Sequence, residues 1–286
     1  MDNWLVYGLL TLSFLLLWHP QKETHRHWLW VLCGATLVAL VMGKLSWLAL
    51  ICLGGFYGVL IATKRASGWY AVLGKLVVAV MFVMFGAHLL PGFERWDIVE
   101  SQYLKPDSGV FSFSFSLDKT IAAILLIGTY LNTQVQSWKR VLTVVSSVTL
   151  ILLCTLFPLM YGLGFIRWQP EFLVPWLSLT LLFMWKQLLV TCVAEEAFFR
   201  GFMQPWLSSL GPEKWGKVIG LLATSGLFAL AHAGGGSKLI LASFIAGMGY
   251  GIAYWWSQRW EAAVLVHWLV NVLHFMLFSY PFYQAQ

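Results

Sequence analysis

The chain has 286 residues, of which 59% are hydrophobic and only 10% are charged, and its mean hydropathy is +0.75. This composition lies far outside the range of water-soluble domains and predicts an integral membrane protein. The net charge of +6 does not indicate a nucleic-acid partner, because the Lys and Arg residues lie singly or in pairs between apolar segments. Since a helix satisfies its own backbone hydrogen bonds in lipid, we expect an all-α, polytopic transmembrane bundle.

Ten apolar runs are suitable as membrane-crossing helices, at roughly 20 residues per crossing. In chain order they cover about 4–18, 28–43, 45–62, 69–90, 120–136, 141–166, 174–200, 217–233, 239–257 and 262–280. The fifth is the least regular, because its apolar part, Thr120 to Leu131, is short enough to be a buried or re-entrant piece. We therefore predict eight to ten helices. In the ninth, Ser243, Gly247 and Gly251 are spaced four apart, which predicts close packing against a neighbouring helix.

The connections between the runs indicate the orientation of the chain. Tryptophans mark several run ends (Trp28, Trp69, Trp176), and basic residues occupy every second connection (Lys22 and Arg26, Lys64 and Arg65, Lys139 and Arg140, Lys214 and Lys217). The positive-inside rule then places both termini outside. The one long connection, 91–119, is acidic, and its "VFSFSFSLD" alternates with a period of two, which predicts a short strand. We assign this loop no chemistry.

We expect one integral membrane domain over 1–286. Within it, the helices of 1–168 carry no functional motif. The helices of 169–286 form the catalytic part, with every candidate motif on the last four segments.

Ionisable side chains cost a few kcal/mol or more each inside a membrane, so they usually face the bundle interior and mark a functional site. Most of them here lie in three stretches: Glu195, Glu196 and Arg200 in "TCVAEEAFFRG", His232 in "FALAHAGGG", and His267, Asn271 and His274 in "HWLVNVLH". Lys75, His88 and Lys186 are further examples, to which we assign no role.

Helical spacing gives the paired glutamates different surroundings. Glu196 and Arg200 stand at i and i+4 with the acid first, the order that favours an ion pair. Glu195 points roughly 100° away around the helix, so we expect it to act as the general base or acid.

The tenth run carries a polar stripe. His267, Asn271 and His274 at i, i+4 and i+7 share one helical face. For His274 alone, an interhelical hydrogen bond is the expected role.

The three motifs together resemble those of the CAAX-protease and bacteriocin-processing family, also called the ABI family. Its first motif matches Glu195, Glu196 and Arg200, its second Phe228 and His232, and its third His267 and Asn271. The resemblance covers about 175–280 and implies an intramembrane endopeptidase of the glutamic type around a water-filled cavity. Eukaryotic relatives remove the C-terminal tripeptide of prenylated CAAX proteins. Many prokaryotic relatives have other roles, including bacteriocin self-immunity, so the motifs do not specify the substrate.

The resemblance also implies roles for these residues. Glu195 and His232 would hold and deprotonate a water, Glu195 would return the proton to the leaving amine, and His267 with Asn271 would donate hydrogen bonds to the oxyanion. This mechanism requires neither cofactor nor metal. The expected partners are the lipid bilayer and a membrane-anchored peptide or protein substrate, with no nucleic acid. The expected location is the cell membrane, as a multi-pass protein of a prokaryotic plasma membrane.

Three alternatives remain open from the sequence. A metalloprotease could bind Zn²⁺ through a glutamate, His232 and His267, although no H-E-x-x-H is present. A transporter could use the same groups to relay protons or bind a cation, although transporters often show two matching halves. A non-enzymatic protein of the immunity type is the third alternative.

One spacing conflicts with the expected topology. Counted from the predicted inner ends of their helices, His267 lies a few residues deep, whereas His232 lies about fifteen residues along, or roughly 22 Å. The two histidines are then expected to meet only if the eighth crossing begins after Trp215 to Leu222.

Overall fold

The computed structural model of the protein describes residues 2–18, 26–131, 133, 137–170 and 177–284. Lys22 and Trp176, used above for orientation, lie outside these ranges. The described residues form ten helices and one two-stranded sheet: α1 (Asp2–Leu16), α2 (His27–Val41), α3 (Trp47–Arg65), α4 (Gly68–Gly86), β1 (Arg95–Gln102), β2 (Phe111–Ser116), α5 (Leu117–Tyr130), α6 (Trp138–Gly162), α7 (Leu177–Leu210), α8 (Gly216–Ala231), α9 (Gly236–Ser257) and α10 (Trp260–Leu277). The predicted all-α polytopic fold is confirmed.

Within the described ranges, six helices are long and apolar enough to cross a membrane, namely α3, α4, α6, α7, α9 and α10. Helices α1, α2 and α8 are apolar but shorter. The protein is therefore a multi-pass membrane protein. Its residues cluster into two compact units, one of 1–96 with 114–134 and one of 97–113 with 135–286.

In the first unit, α5 is the central helix and contacts α1, α2, α3 and α4. It is the short buried piece that its sequence predicted, and nearly all of its residues are buried. Both ends carry charges that suit a helix dipole. Asp118 in its first turn bonds His88 at 2.8 Å, and Lys64 Nζ donates to Thr129 O at 2.6 Å at its C-terminal end.

The predicted strand in 91–119 is confirmed as β2, which pairs with β1. Alternate residues of β2, namely Phe111, Phe113 and Phe115, are buried, as the period of two requires. Between the strands, the buried Lys105 donates from Nζ to Phe275 O and Phe278 O, each at 2.7 Å. This loop residue therefore caps the C-terminal end of α10 within the second unit.

In the second unit, α9 packs against α6, α8 and α10, and α7 contacts α8 and α10. Glycines allow the close approaches. A Cβ at Gly247 would lie 3.2 Å from Arg200 Nη2, and one at Gly251 would lie 3.0 Å from Gln204 Oε1. The close packing predicted for the small-residue spacing of α9 is confirmed at these two positions.

Gly220 of α8 lies close to the backbone of α7 and offers a test of this packing. A Cβ there would lie 2.8 Å from Gln204 O and 3.0 Å from Ser208 N, so Gly220→Ala must push α8 away from α7. We expect it to lower the free energy of unfolding by about 1–3 kcal/mol, the usual cost of overpacking. Thermal unfolding in detergent measures this. Gly226→Ala on the same helix is the control, because no atom lies within 4 Å of its Cβ position. Equal melting temperatures for the two variants would contradict the prediction.

Candidate active site

Helix α7 departs from regular α geometry on both sides of the paired glutamates. It is π-helical over Gln187–Cys192 and again over Ala197–Met203, with one α-helical turn, Val193–Glu196, between them. Such wide turns are rare and frequently occur at functional sites, where they redirect side chains.

Glu196 is fully buried and forms the structural centre of the site. Its Oε1 accepts a hydrogen bond from Arg200 Nη1 at 3.0 Å and lies 2.8 Å from His267 Nδ1. Arg200, also fully buried, places Nη1 2.9 Å from Glu196 Oε2 and donates from Nη2 to Gly247 O at 3.0 Å. The predicted ion pair is therefore confirmed, and it also ties α7 to α9 and α10.

Aromatic rings enclose this ion pair. The Arg200 guanidinium lies 4.8 Å from the Phe228 ring centre and 5.4 Å from that of Tyr250. Tyr250 stacks on the His267 imidazole, with ring centres 4.5 Å apart and planes 14° apart. The cation is thus placed over ring faces, and His267 is held both at Nδ1 and on one face.

His232 directly follows the last residue of α8. Its Nδ1 lies 2.8 Å from Phe228 O. Because a carbonyl oxygen only accepts, this nitrogen carries a proton, and in the neutral ring Nε2 keeps its lone pair. The Phe228 ring lies 4.6 Å from the His232 ring and 5.7 Å from the His267 ring, between centres. Both histidines thus contact the Phe228 ring although α8 already begins at Gly216, so the later start expected for this crossing is not required.

Glu195, His232, His267 and Asn271 all line one cavity of about 370 Å³ in the second unit. Convergence on one cavity was predicted for these four residues together with Glu196, and the four are found there. Glu196 does not line the cavity, because it lies behind His267. Much of the remaining lining is apolar, from Leu156, Phe157, Met160, Ile166, Leu239 and Val270. This combination of apolar walls and a few convergent polar groups is typical of small-molecule and peptide sites.

Sequence reasoning missed four polar lining residues: Gln187, Thr191, Ser243 and Tyr250. Gln187 and Thr191 could have been predicted from the sequence, because they precede Glu195 at intervals of four residues. Asn271 Nδ2 donates to Gln187 Oε1 at 3.2 Å, so α7 and α10 are joined by an amide pair as well as by Glu196 and His267.

At the C-terminal end of α10, aromatic residues line the cavity. The His274 ring lies 5.1 Å from the Tyr280 ring and 6.4 Å from the Phe157 ring, between centres. Burial raises the pKa of Tyr280, which lies beyond the helix, so its phenol stays protonated. Lys186, to which no role was assigned, places Nζ 5.0 Å from the Phe113 ring centre.

The alternative zinc site would need a group of three suitable ligands. In the part of the chain that the structure describes, no group of three or more His, Cys, Asp or Glu side chains is arranged to hold a metal ion. The Nδ1 atoms of His232 and His267 are engaged with Phe228 O and Glu196, so only their Nε2 atoms face other partners.

Residues 175–273 match the family model described as Type II CAAX prenyl endopeptidase Rce1-like. The match spans about a third of the chain and includes all three motifs. No curated protein and no solved structure matches the chain. The predicted resemblance is therefore confirmed, and residues 175–273 are similar to this family.

The burial of Glu196 leads to a stability prediction. Glu196→Gln leaves the Arg200 cation buried without its carboxylate, so we expect the free energy of unfolding to fall by about 3–5 kcal/mol. Glu195→Gln is the matched control, because it makes the same chemical change on the cavity wall and leaves the Arg200 pair intact. Melting curves in detergent would refute this assignment if the two variants unfolded at the same temperature.

Proposed function

We propose that the protein is an intramembrane endopeptidase that hydrolyses a peptide bond in a membrane-anchored substrate. The observation that carries the proposal is the single cavity lined by Glu195, His232, His267 and Asn271. An activated water and donors for an oxyanion are the two requirements of peptide hydrolysis, and these residue types supply both. The match to an endopeptidase family over the same residues supports the same reaction class.

Glu195 and His232 are assigned to the water. His232 Nε2 carries a lone pair because Nδ1 donates to Phe228 O, so it accepts one hydrogen of a water in the cavity. The Glu195 carboxylate accepts the other hydrogen and removes the proton as the oxygen attacks the carbonyl carbon. Glu195 then delivers that proton to the leaving amine, which makes it general base and general acid in turn.

His267 and Asn271 are assigned to the oxyanion. His267 Nδ1 faces the Glu196 carboxylate, so donation from Nε2 requires the doubly protonated ring, with Glu196 as its counter-ion. A cationic donor matches the negative charge that develops on the carbonyl oxygen. In this arrangement Glu196 acts through His267, and Arg200 holds Glu196.

The walls of the cavity support an apolar substrate segment. Its aliphatic and aromatic lining suits a peptide that enters from the lipid phase rather than from water. We therefore propose a lipid-embedded or lipid-anchored substrate and a plasma-membrane location.

Glu195→Gln is the test of the reaction. It keeps the shape of the side chain but cannot accept the proton, so turnover should fall by about 10²–10⁴-fold, the typical contribution of a general base. Membrane proteins whose C-terminal fragments change when the gene is deleted serve as substrates, and rescue by the wild type but not by Glu195→Gln is the expected result. Equal rescue by both genes would overturn the proposal. Flux of protons or cations in liposomes without any cleavage would favour a transporter.

A second prediction separates the water mechanism from a zinc enzyme. Because the assigned roles use side chains alone, we expect cleavage by the purified protein to survive prolonged exposure to a strong chelator. The measurement is the cleavage rate together with the metal content of the same sample. Loss of activity with loss of stoichiometric zinc, and its return with zinc alone, would assign His232 and His267 as ligands instead.

A further inference from the structure

Gln187 is a buried amide in an apolar helix, where a polar side chain is costly unless it is hydrogen-bonded. It belongs to none of the three motifs. It lies at the first position of the first π-helical segment of α7 and lines the same cavity as Glu195.

The direct partner of Gln187 is Asn271 on α10. Asn271 Nδ2 donates to Gln187 Oε1 at 3.2 Å, and Cys192 Sγ lies 3.9 Å from the same nitrogen. An asparagine amide presents donors on one side and an acceptor on the other, and the two sides have nearly the same shape. The acceptor at Gln187 therefore decides which side of the Asn271 amide faces α7 and fixes the plane in which its second N–H lies.

The helix geometry explains how Gln187 reaches this position. In a regular α-helix each residue advances by about 100°, so Gln187 and Glu195, eight residues apart, would differ by roughly 80° around the axis. The wide turn Gln187–Cys192 reduces the rotation per residue. Both side chains consequently line one cavity, and Gln187 lies beside Asn271 there.

We propose that Gln187 is a positioning residue for the reaction, which holds the Asn271 amide so that its other N–H, which donates weakly to Cys192 Sγ in this structure, can be directed at the developing oxyanion. This inference rests on the proposed peptidase function. It assigns Gln187 an effect on the transition state, because a misoriented Asn271 would present its carbonyl oxygen to the oxyanion and repel it.

Gln187→Met removes the acceptor at similar length and tests the assignment. The turnover number should fall by about 10- to 100-fold with KM almost unchanged, somewhat less than the 10²–10³-fold cost of deleting an oxyanion donor outright. Gln204→Met is the matched control. Gln204 is a buried glutamine on the same helix that donates to Gly251 O at 3.2 Å and does not line the cavity, so its loss should lower the melting temperature and leave kcat unchanged.

A double-mutant cycle with Asn271→Ala shows whether Gln187 acts through Asn271. In the Asn271→Ala background, where residual turnover is still measurable, Gln187→Met should change kcat by less than about 2-fold. Gln187→Ala provides the same comparison where the methionine variant fails to fold.

Each result decides between named possibilities. A wild-type protein that cleaves nothing overturns the peptidase function and this inference with it. Cleavage by the wild type and equally by Gln187→Met overturns the inference alone. The same fall in kcat in both backgrounds also overturns it, because Gln187 would then act independently of Asn271. So does a fall in melting temperature without a fall in kcat, which would make Gln187 a packing residue.

Discussion

A carboxylate with no exposed surface, Glu196, is the constraint on which the rest of the site depends. Burying such a charge in an apolar bundle is prohibitive unless it is paired and hydrogen-bonded. Here Arg200 and His267 supply the partners, and Arg200 in turn bonds a backbone carbonyl of α9. Helix α7 must therefore meet α9 and α10 at one point, although the partners of Arg200 and Glu196 lie 47 and 71 positions further along the chain. A side chain at position 247 would crowd the Arg200 guanidinium. The pairing of Arg200 with Glu196 therefore also favours a glycine at that position.

The same constraint gives two adjacent glutamates different positions. One must turn towards the buried cation, and the neighbouring position is then directed about 100° away, on the cavity wall. The adjacent pair thus places an ion-paired acid and a cavity-lining acid on a single helical turn. The two histidines are held in a similar way. The Nδ1 atom of His267 contacts Glu196 and that of His232 contacts Phe228 O, so each ring has Nε2 available for other partners.

The features that could be predicted from the sequence are local or periodic. Apolar runs predicted the ten helices, the alternation in "VFSFSFSLD" predicted β2, and the i, i+4 spacing predicted the pair of Glu196 with Arg200. The contact of Glu196 with His267 joins residues 71 positions apart, and no local spacing encodes it. The π-helical turns were missed because a 3.6-residue period was assumed throughout.

The loop 91–119 shows how a segment without chemistry still affects the site. The stripe of His267 and Asn271 is useful only if α10 keeps its axial position, and charges hold both ends of that helix. Glu261 in its first turn pairs with Arg259, whose Nε lies 3.0 Å from Glu261 Oε2, and Lys105 binds the free carbonyls of its last turn. Glu261 and Lys105 each have the sign that the helix dipole favours at their end. The loop therefore contributes through the backbone of α10, by fixing the helix that carries His267 and Asn271, rather than by lining the cavity.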